Sequence, residues 1–531
     1  MKLEITIGMP GAEWFYSATR ICELKAERAA WANPKDWLQK ALRAAGRQPA
    51  EAESIMAQLA EILRGEIVVK LGAYEEAKRL YAPMIRDGRK DLEMDLVQLC
   101  EEKALVHFIT GDAPGADQEC AEVIAILERL VEQEGHLELA DNRAKAYMSK
   151  SIAARDLGDD KKALALCDKA IAIWDRLVKR GRGELAIALA QVCSNKADLL
   201  IALRDARGAV ALFERAIAIW EPLVRKGGRR EWANHLAVAY AKKAEGIGGL
   251  GDNLGAVELC DRAIAIQESL VYREGRPELS PDLANSYRGK AIGLHLLGKH
   301  EDAAALLDKA IAILKRLVDQ ENRHELSEKL ASAYSEKASL LWVMGNDRDT
   351  ARMYDKAIAI LEPLVKREGQ QELLSDLATA YSGKADAVHA LGYYRDAAME
   401  CDKAIAIFER LDDRDGHRKW SDKLASTCST KAEAVSLMGD FRGGVALYDR
   451  AIDTWEPLLE QGDPSLISNV AWTKARRGQT LLALGEKLKG LGDLRSARDT
   501  LQGLAEPSGR AADLQERLAR VEEALARQLG Q

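Results

Sequence analysis

The chain has 531 residues, of which 47% are hydrophobic and 30% charged, and its formal net charge is −7 at pH 7. An acidic balance argues against a general nucleic-acid-binding protein, and the lack of an apolar run of about 18 or more residues argues against a transmembrane helix. The eight cysteines show no CxxC spacing, and four of them fall on a repeated position that other copies fill with Leu, Phe or Tyr, which indicates packing rather than disulfides or metal sites. Reduced thiols are typical of a cytoplasmic protein.

Residues 1–57 precede a long array of sequence repeats and form the most aromatic part of the chain. Hydrophobic spacing predicts two helices there, over residues 12–30 and 34–45. Because an open repeat array exposes its terminal core, we expect this segment to be an N-terminal cap. The alternative is a docking or oligomerisation element in which Trp31 and Trp37 contact the partner.

From residue 58 to residue 507, a self-similar block recurs every 46 to 47 residues. One copy reads DKAIAILEPLV from Asp355, and the next reads DKAIAIFERLD from Asp402. A fixed period of this length is typical of stacked-repeat architectures, in which each repeat contacts only its neighbours. Earlier copies begin at Asp168, Glu214, Asp261 and Asp308.

Each copy predicts a hairpin of two helices, A and B. Small or apolar residues within 378–392 recur at spacings of three and four, which indicates one face of helix A. Gly392 ends this helix, and residues 393–411 show the same spacing for helix B. In the last copy, residues 481–497 are predicted to add about two helical turns before helix B. The predicted helix-A starts lie near Gln58, Val97, Ala144, Ala190, Ala237, Ala284, Ala331, Ala378, Ala425 and Ala471.

The hairpin resembles the tetratricopeptide repeat, a helix–turn–helix unit with a large residue early in helix A and small residues in helix B. The matching residues of one copy are Tyr381, Ala385, Gly392, Tyr394, Ala397, Cys401 and Ala404. The resemblance covers residues 58–507 and implies an all-α fold, a right-handed superhelical α-solenoid of about ten helical hairpins with helical caps. We expect residues 508–531 to form the C-terminal capping helix.

Tetratricopeptide arrays bind partners on a concave surface lined by helix A, so the resemblance also implies a partner-binding face. Residues at its exposed positions differ between copies while the packing positions repeat, which fits a selective surface and equally an unconstrained solvated one. Trp342 is the strongest candidate because exposed tryptophans commonly anchor interfaces. The candidate partner-binding residues are Arg288, His295, Ser335, Trp342, Asp386 and His389.

A lysine recurs before the small residue of helix A, and an acidic residue of helix B recurs with it. One interpretation is a cationic track that binds acidic peptides or nucleic-acid phosphates. The other, which the matched acids and the negative net charge favour, is that each lysine packs its stem on a neighbouring helix and pairs with an acid. This lysine series consists of Lys103, Lys150, Lys196, Lys243, Lys290, Lys337, Lys384 and Lys431, and Arg477 continues it.

The sequence contains no GxSxG motif, P-loop, HExxH motif or dinucleotide-binding glycine pattern. We therefore expect a protein without enzymatic activity, cofactor, metal or membrane span, which acts as a scaffold or adaptor and holds a protein or peptide in its concave groove. Three alternatives stay open. The chain is a regulatory or sensor subunit that wraps an effector enzyme such as a protease or nuclease, it binds nucleic acid along the lysine series, or it self-associates through its terminal helices.

Overall fold

A computed structural model of the chain describes residues 39–40, 42–44, 48, 66–225, 228, 230–367, 373–415, 420–459, 464–505 and 511–529. Trp31, Trp37, the helix predicted over residues 12–30 and the helix-A start near Gln58 lie outside the described residues. The chain divides into two compact units, Met1–Lys299 (unit 1) and His300–Gln531 (unit 2).

In both units the described residues form α-helices joined by short turns, and they contain no β-strand. Unit 1 comprises α1 (Glu66–Arg86), α2 (Glu93–Thr110), α3 (Ala113–Glu128), α4 (Ala140–Asp156), α5 (Asp160–Lys179), α6 (Ala186–Ala202), α7 (Ala206–Arg225), α8 (Ala233–Gly249), α9 (Asn253–Glu268) and α10 (Ser280–Leu296). Unit 2 comprises α11 (His300–Asp319), α12 (Ser327–Val343), α13 (Asp347–Arg367), α14 (Leu374–Ala390), α15 (Tyr394–Asp415), α16 (Ser421–Leu437), α17 (Phe441–Leu459), α18 (Pro464–Ala483), α19 (Lys487–Ala505) and α20 (Ala511–Leu529). The even-numbered helices α2 to α18 are the A helices, and the odd-numbered helices α1 to α19 are the B helices.

The turn between helix A and helix B has the same backbone chemistry in most hairpins. After α14, the backbone N–H of Gly392 donates to the carbonyl of His389 at 2.9 Å, and Gly392 takes a φ of +84°. Glycine accepts this left-handed conformation without a steric penalty. Helix B often begins with a side-chain cap, as where the Asp159 carboxylate accepts from the N–H of Lys162 at 3.0 Å.

From α2 to α16, each helix A begins four residues, about one turn, before its predicted start, and α18 begins at Pro464, seven residues before Ala471. A single 3₁₀ turn, Pro277–Leu279, leads into α10 at Ser280 rather than at Ala284, and Leu279 is fully buried. The burial of this leucine fixes the entry of the chain, so the helix starts as soon as the turn is complete. The repeat period is longer than the tetratricopeptide unit because the connection and helix A are extended as well as helix B.

The predicted insertion in the last repeat is wrong. α18 ends at Ala483, Gly485 forms the left-handed turn with a φ of +84°, and α19 begins at Lys487. Gly485 therefore takes the role that Gly439 has one repeat earlier, and residues 487–497 belong to helix B. Gly478 and Gly490 allow α18 and α19 to approach closely, since a Cβ on Gly478 would lie 2.8 Å from the carbonyl oxygen of Gly490.

The core of each unit consists of alanines and larger apolar residues on the facing sides of the helices. Trp174 and Trp455 are buried on B helices, and each indole N–H donates at 2.8 Å to an aspartate of helix A in the same repeat, Asp141 and Asp422 respectively. These bonds satisfy the polar edge of a large buried side chain. Each one ties the first turn of helix A to helix B.

Among the described residues, one segment, Gly183–Ala202, is long and apolar enough to cross a membrane by length and composition alone. It contains α6, on which Leu189, Val192 and Cys193 are buried in the core of unit 1. Packing between neighbouring repeats therefore accounts for its apolar composition.

Arg204 is the exception to the glycine rule at the A–B turn. It stands where other repeats have glycine and takes a φ of +63°. Because a side chain destabilises this conformation, we expect Arg204→Gly to raise the free energy of unfolding by about 1 kcal/mol. Urea unfolding followed by circular dichroism measures the change. The reciprocal Gly251→Arg variant should lower stability, and an unchanged or less stable Arg204→Gly protein would contradict this account.

Candidate partner-binding surface

Trp342 is the candidate residue that the structure leaves most accessible. It lies in the last turn of α12 with 42% of its surface exposed, and Val343 and Met344 beside it are exposed as well. Three consecutive exposed apolar residues on a rigid helix end form a preformed contact surface. Ser335, two turns earlier on α12, is half-buried, and its backbone carbonyl accepts from the Ser339 hydroxyl at 3.1 Å.

Further exposed apolar residues, which the helix-A positions did not predict, lie at the ends of other A helices of unit 2. Every A helix in the described residues from α4 to α16 ends beside a leucine or methionine directly before the turn residue. The sequence does contain a signal for these apolar residues, because the residue before the turn position is Leu or Met in successive copies. We name the exposed members in unit 2 the apolar edge, and they are Trp342, Val343, Met344, Leu391, Tyr393, Leu437 and Met438.

Asp386 is less exposed than the sequence predicted. Its carboxylate lies between α14 and α16 and accepts a hydrogen bond from the Thr430 hydroxyl at 2.8 Å. Burial raises the pKa of Asp386 to about 6, while Thr430 and Lys423 oppose the rise. The residue therefore joins neighbouring A helices and is not a free surface charge.

His389 is also drawn into the packing of unit 2. Its ring lies 5.3 Å from the ring of Tyr394, and its Nε2 is buried without a hydrogen-bond partner. Burial lowers the pKa of His389; the Glu433 carboxylate opposes this change and the Arg476 guanidinium adds to it. The imidazole is therefore neutral near pH 7. Glu433 and Arg476 form an ion pair with each other across α16 and α18.

The two candidates in unit 1, Arg288 and His295, lie on α10 and are half-buried. The six predicted residues thus fall into different environments. Trp342 is exposed, whereas Ser335, Asp386 and His389 in unit 2 and both residues in unit 1 are partly covered by their neighbours. The spacing of helix A does not predict these differences, because contacts such as that of Asp386 with Thr430 come from the following repeat, 44 residues later.

The lysine series is paired with carboxylates throughout. Lys384 is typical: burial lowers its pKa, but hydrogen bonds to Asp355 and Glu400 outweigh this and raise it above the ordinary value. The ammonium groups are held by acids of the preceding B helix or of the same hairpin, as the structural interpretation predicts. The pairs are Lys103 with Glu119 (2.8 Å), Lys150 with Asp117 (4.0 Å), Lys196 with Asp168 (2.5 Å), Lys243 with Glu214 (3.0 Å), Lys290 with Asp261 (2.5 Å), Lys337 with Asp308, Lys384 with Asp355 (2.7 Å) and Lys431 with Asp402.

One group of residues in unit 1 has ligand atoms close enough for a metal ion, namely Cys100, Glu119 and Glu122, whose atoms lie within 4.8 Å of one another. Lys78 contacts both carboxylates, at 3.2 Å from Glu119 and 2.5 Å from Glu122. Burial raises the pKa of the Cys100 thiol, which disfavours the thiolate that a metal requires. The lysine neutralises the acids, so this group is an ion-pair network.

The raised pKa of Asp386 makes stability depend on pH. Its folded pKa of about 6 exceeds the ordinary value of 3.8, so its contribution is fully present below the unfolded pKa and is lost as pH rises through about 6. We expect Asp386→Asn to be more stable than the wild type at pH 7 by about 1–2 kcal/mol, with the difference vanishing near pH 4. Thermal unfolding across pH measures this. The exposed Asp396→Asn should show no such trend, and a constant Asp386→Asn difference would contradict the assignment.

No protein-family model matches the chain, and no curated protein is similar to it in sequence. Solved structures with a similar fold include BtubC (BKLC) from P. vanneervenii, with 20% identity over 48% of this chain and 92% of that chain and a TM-score of 0.39. A tetratricopeptide repeat protein from Parabacteroides merdae has 15% identity over 59% of this chain and 93% of that chain, with a TM-score of 0.35. A Rap protein complexed with competence and sporulation factor has 15% identity over 77% of this chain and 98% of that chain, with a TM-score of 0.41.

Similarity at this level concerns the fold alone, and no function can be transferred from it. The repeat period, the paired antiparallel helices and the turn glycines are properties of this chain itself. The described residues therefore form an all-α helical-repeat solenoid of tetratricopeptide-like hairpins.

Proposed function

We propose that the chain is a non-catalytic scaffold or adaptor that binds a protein or peptide partner, and that the apolar edge of unit 2 carries the contact. The observation that supports this proposal is the exposure of Trp342 together with Val343 and Met344 at the end of α12. Exposed apolar patches on soluble proteins commonly mark interaction sites, and tryptophan is enriched among the residues that dominate binding energy.

The apolar edge is a surface that needs little ordering before it binds. Its residues lie at the ends of packed helices, and the adjoining turns are fixed by Gly345, Gly392 and Gly439 in the left-handed conformation. Binding therefore costs little conformational entropy on this side of the interface. Asp386 and His389 help to hold α14 in place, because Asp386 accepts from Thr430 and His389 packs against Tyr394.

The contacts of the lysine series disfavour the nucleic-acid alternative. A phosphate would have to displace a carboxylate from each ammonium group, and the carboxylates that remained would repel the backbone. Self-association through the C-terminal helix is disfavoured in a similar way. α20 buries Val521 and Leu525 against the last hairpin, so its apolar face is already occupied within unit 2.

The experiment compares the wild type with Trp342→Ala in capture of partners from a lysate of the native host, followed by titration with the purified partner. We expect Trp342→Ala to weaken binding at least about tenfold, which corresponds to about 1.4 kcal/mol. Because 42% of the Trp342 surface is exposed, its removal should lower the melting temperature only slightly.

The matched control is Leu250→Ala, which truncates an exposed residue before the corresponding turn of unit 1. A partner lost by Trp342→Ala and retained by Leu250→Ala supports the apolar edge as the site. Equal binding by all three proteins would contradict it. If the captured partner is an enzyme whose rate changes on binding, the chain is a regulatory subunit rather than a passive scaffold.

A further inference from the structure

A polar contact recurs where helix A of one repeat meets helix B of the preceding repeat. The hydroxyl of a tyrosine on helix A donates to a carboxylate near the end of helix B. This contact joins successive repeats, because the two residues lie 19 positions apart across the connection. The pairs are Tyr147 with Glu128, Tyr287 with Glu268 at 2.5 Å, and Tyr381 with Glu362.

A cation completes the contact from the following B helix. Lys169 lies 4.9 Å from the ring centroid of Tyr147, and Lys403 lies 5.0 Å from that of Tyr381. A lysine over an aromatic face gains a cation–π attraction and at the same time faces the acid that the tyrosine binds. We call this arrangement of acid, tyrosine and cation the inter-repeat contact.

The acid is present even where the tyrosine is replaced. Helix A carries Cys193 in one repeat, and there Arg215 pairs directly with Asp175. A second repeat with a cysteine repeats this solution, since Arg450 pairs directly with Glu409 beside Cys428. In these two repeats an arginine binds the carboxylate that a tyrosine hydroxyl binds in other repeats. The carboxylate is therefore present in both arrangements.

One repeat departs from this rule. Beside Tyr334 the acid position holds Lys315, while the usual cation is kept, with Lys356 at 5.2 Å from the Tyr334 ring centroid. Spacing of 46 or 47 residues identifies the equivalent positions without ambiguity. In chain order they hold Glu128, Asp175, Glu221, Glu268, Lys315, Glu362, Glu409 and Glu456.

The replacement brings like charges together in unit 2. Lys315, Arg352 and Lys356 are exposed, and none of them has an ion-pair partner among the described residues. Burial lowers the pKa of Lys356, and the positive charges of Arg352 and Lys315 lower it further. Of the nearby acids, Asp308 is held by Lys337. Asp319 raises the pKa of Tyr334 in addition to burial, but it forms no hydrogen bond with the Tyr334 hydroxyl.

We propose that Lys315, Tyr334, Arg352 and Lys356 bind a carboxylate side chain from an acidic segment of the protein partner, which takes the role that Glu362 fills one repeat later. The proposal rests on the proposed function, since it assumes a protein partner. A carboxylate is the favoured occupant because the same tyrosine–cation pair holds a glutamate in the neighbouring repeats. The cluster would supply an electrostatic contact in addition to the apolar contact that we propose for the apolar edge.

The test measures binding of fluorescently labelled hexaglutamate to the full chain by anisotropy at low ionic strength, with inorganic phosphate as competitor. We expect Lys315→Glu, which restores the carboxylate of the other repeats, to weaken binding at least about tenfold. Lys315→Gln should weaken binding less, and it keeps the test valid if Lys315→Glu perturbs folding. Binding should also weaken steeply with added salt, because the groups are exposed.

The control is Lys161→Glu, an exposed lysine of unit 1 that undergoes the same change in net charge. An equal loss in both variants, or no binding by the wild type, would overturn the proposal. Free glutamate serves as a second competitor. If phosphate displaced the labelled hexaglutamate at a lower concentration than free glutamate does, the assignment to a carboxylate would also be overturned. These results are independent of Trp342, so capture of a partner through the apolar edge can succeed while this inference fails.

Discussion

In five B helices, α3, α5, α9, α13 and α15, a carboxylate near the C-terminal end connects the helix to the next repeat. The alanine-rich core is almost the same in every repeat, so apolar packing alone distinguishes poorly between correct and shifted registers. A tyrosine hydroxyl or an arginine can reach its carboxylate only when the two helices pack in one register. In an array stabilised by nearest-neighbour interfaces, such contacts determine how far each repeat supports the next. Glu362, held by Tyr381 and faced by Lys403, shows the arrangement in full.

Other polar groups of the array are also paired with residues of the same chain. Lysines of the A helices are held by acids of the preceding B helices, buried indoles donate to aspartates of the same hairpin, and Asp386 accepts from Thr430 of the next repeat. The charged side chains along the array are therefore largely paired with other residues of the array. The surfaces that we propose for a partner are the apolar edge at the ends of the A helices and the cluster around Lys315, where the carboxylate of the neighbouring repeats is replaced.

Sequence periodicity predicted the helical hairpins, the turn at Gly392 and the pairing of the lysine series, because each depends on residues close in the chain or repeated in register. It failed where contacts come from another repeat. Asp386 accepts a hydrogen bond from Thr430, and the pKa of His389 is lowered by burial and then adjusted by Glu433 and Arg476; no local pattern connects these residues. The prediction for the last repeat is wrong for a different reason: glycines at positions 485 and 492 both resemble turn residues, and Gly485, 46 residues after Gly439, is the one that keeps the repeat period.

The most direct test of this account is a double-mutant cycle on Tyr381→Phe and Glu362→Gln. Hydrogen exchange of the α14 amides would report the opening free energy of that repeat without assuming two-state unfolding of the whole chain. If the hydroxyl–carboxylate contact joins the repeats, the two changes should be coupled by about 1 kcal/mol, and protection should fall in α14 and in the adjacent B helix, α13. Effects that add within about 0.3 kcal/mol would show that apolar packing alone holds the register, and would contradict the account.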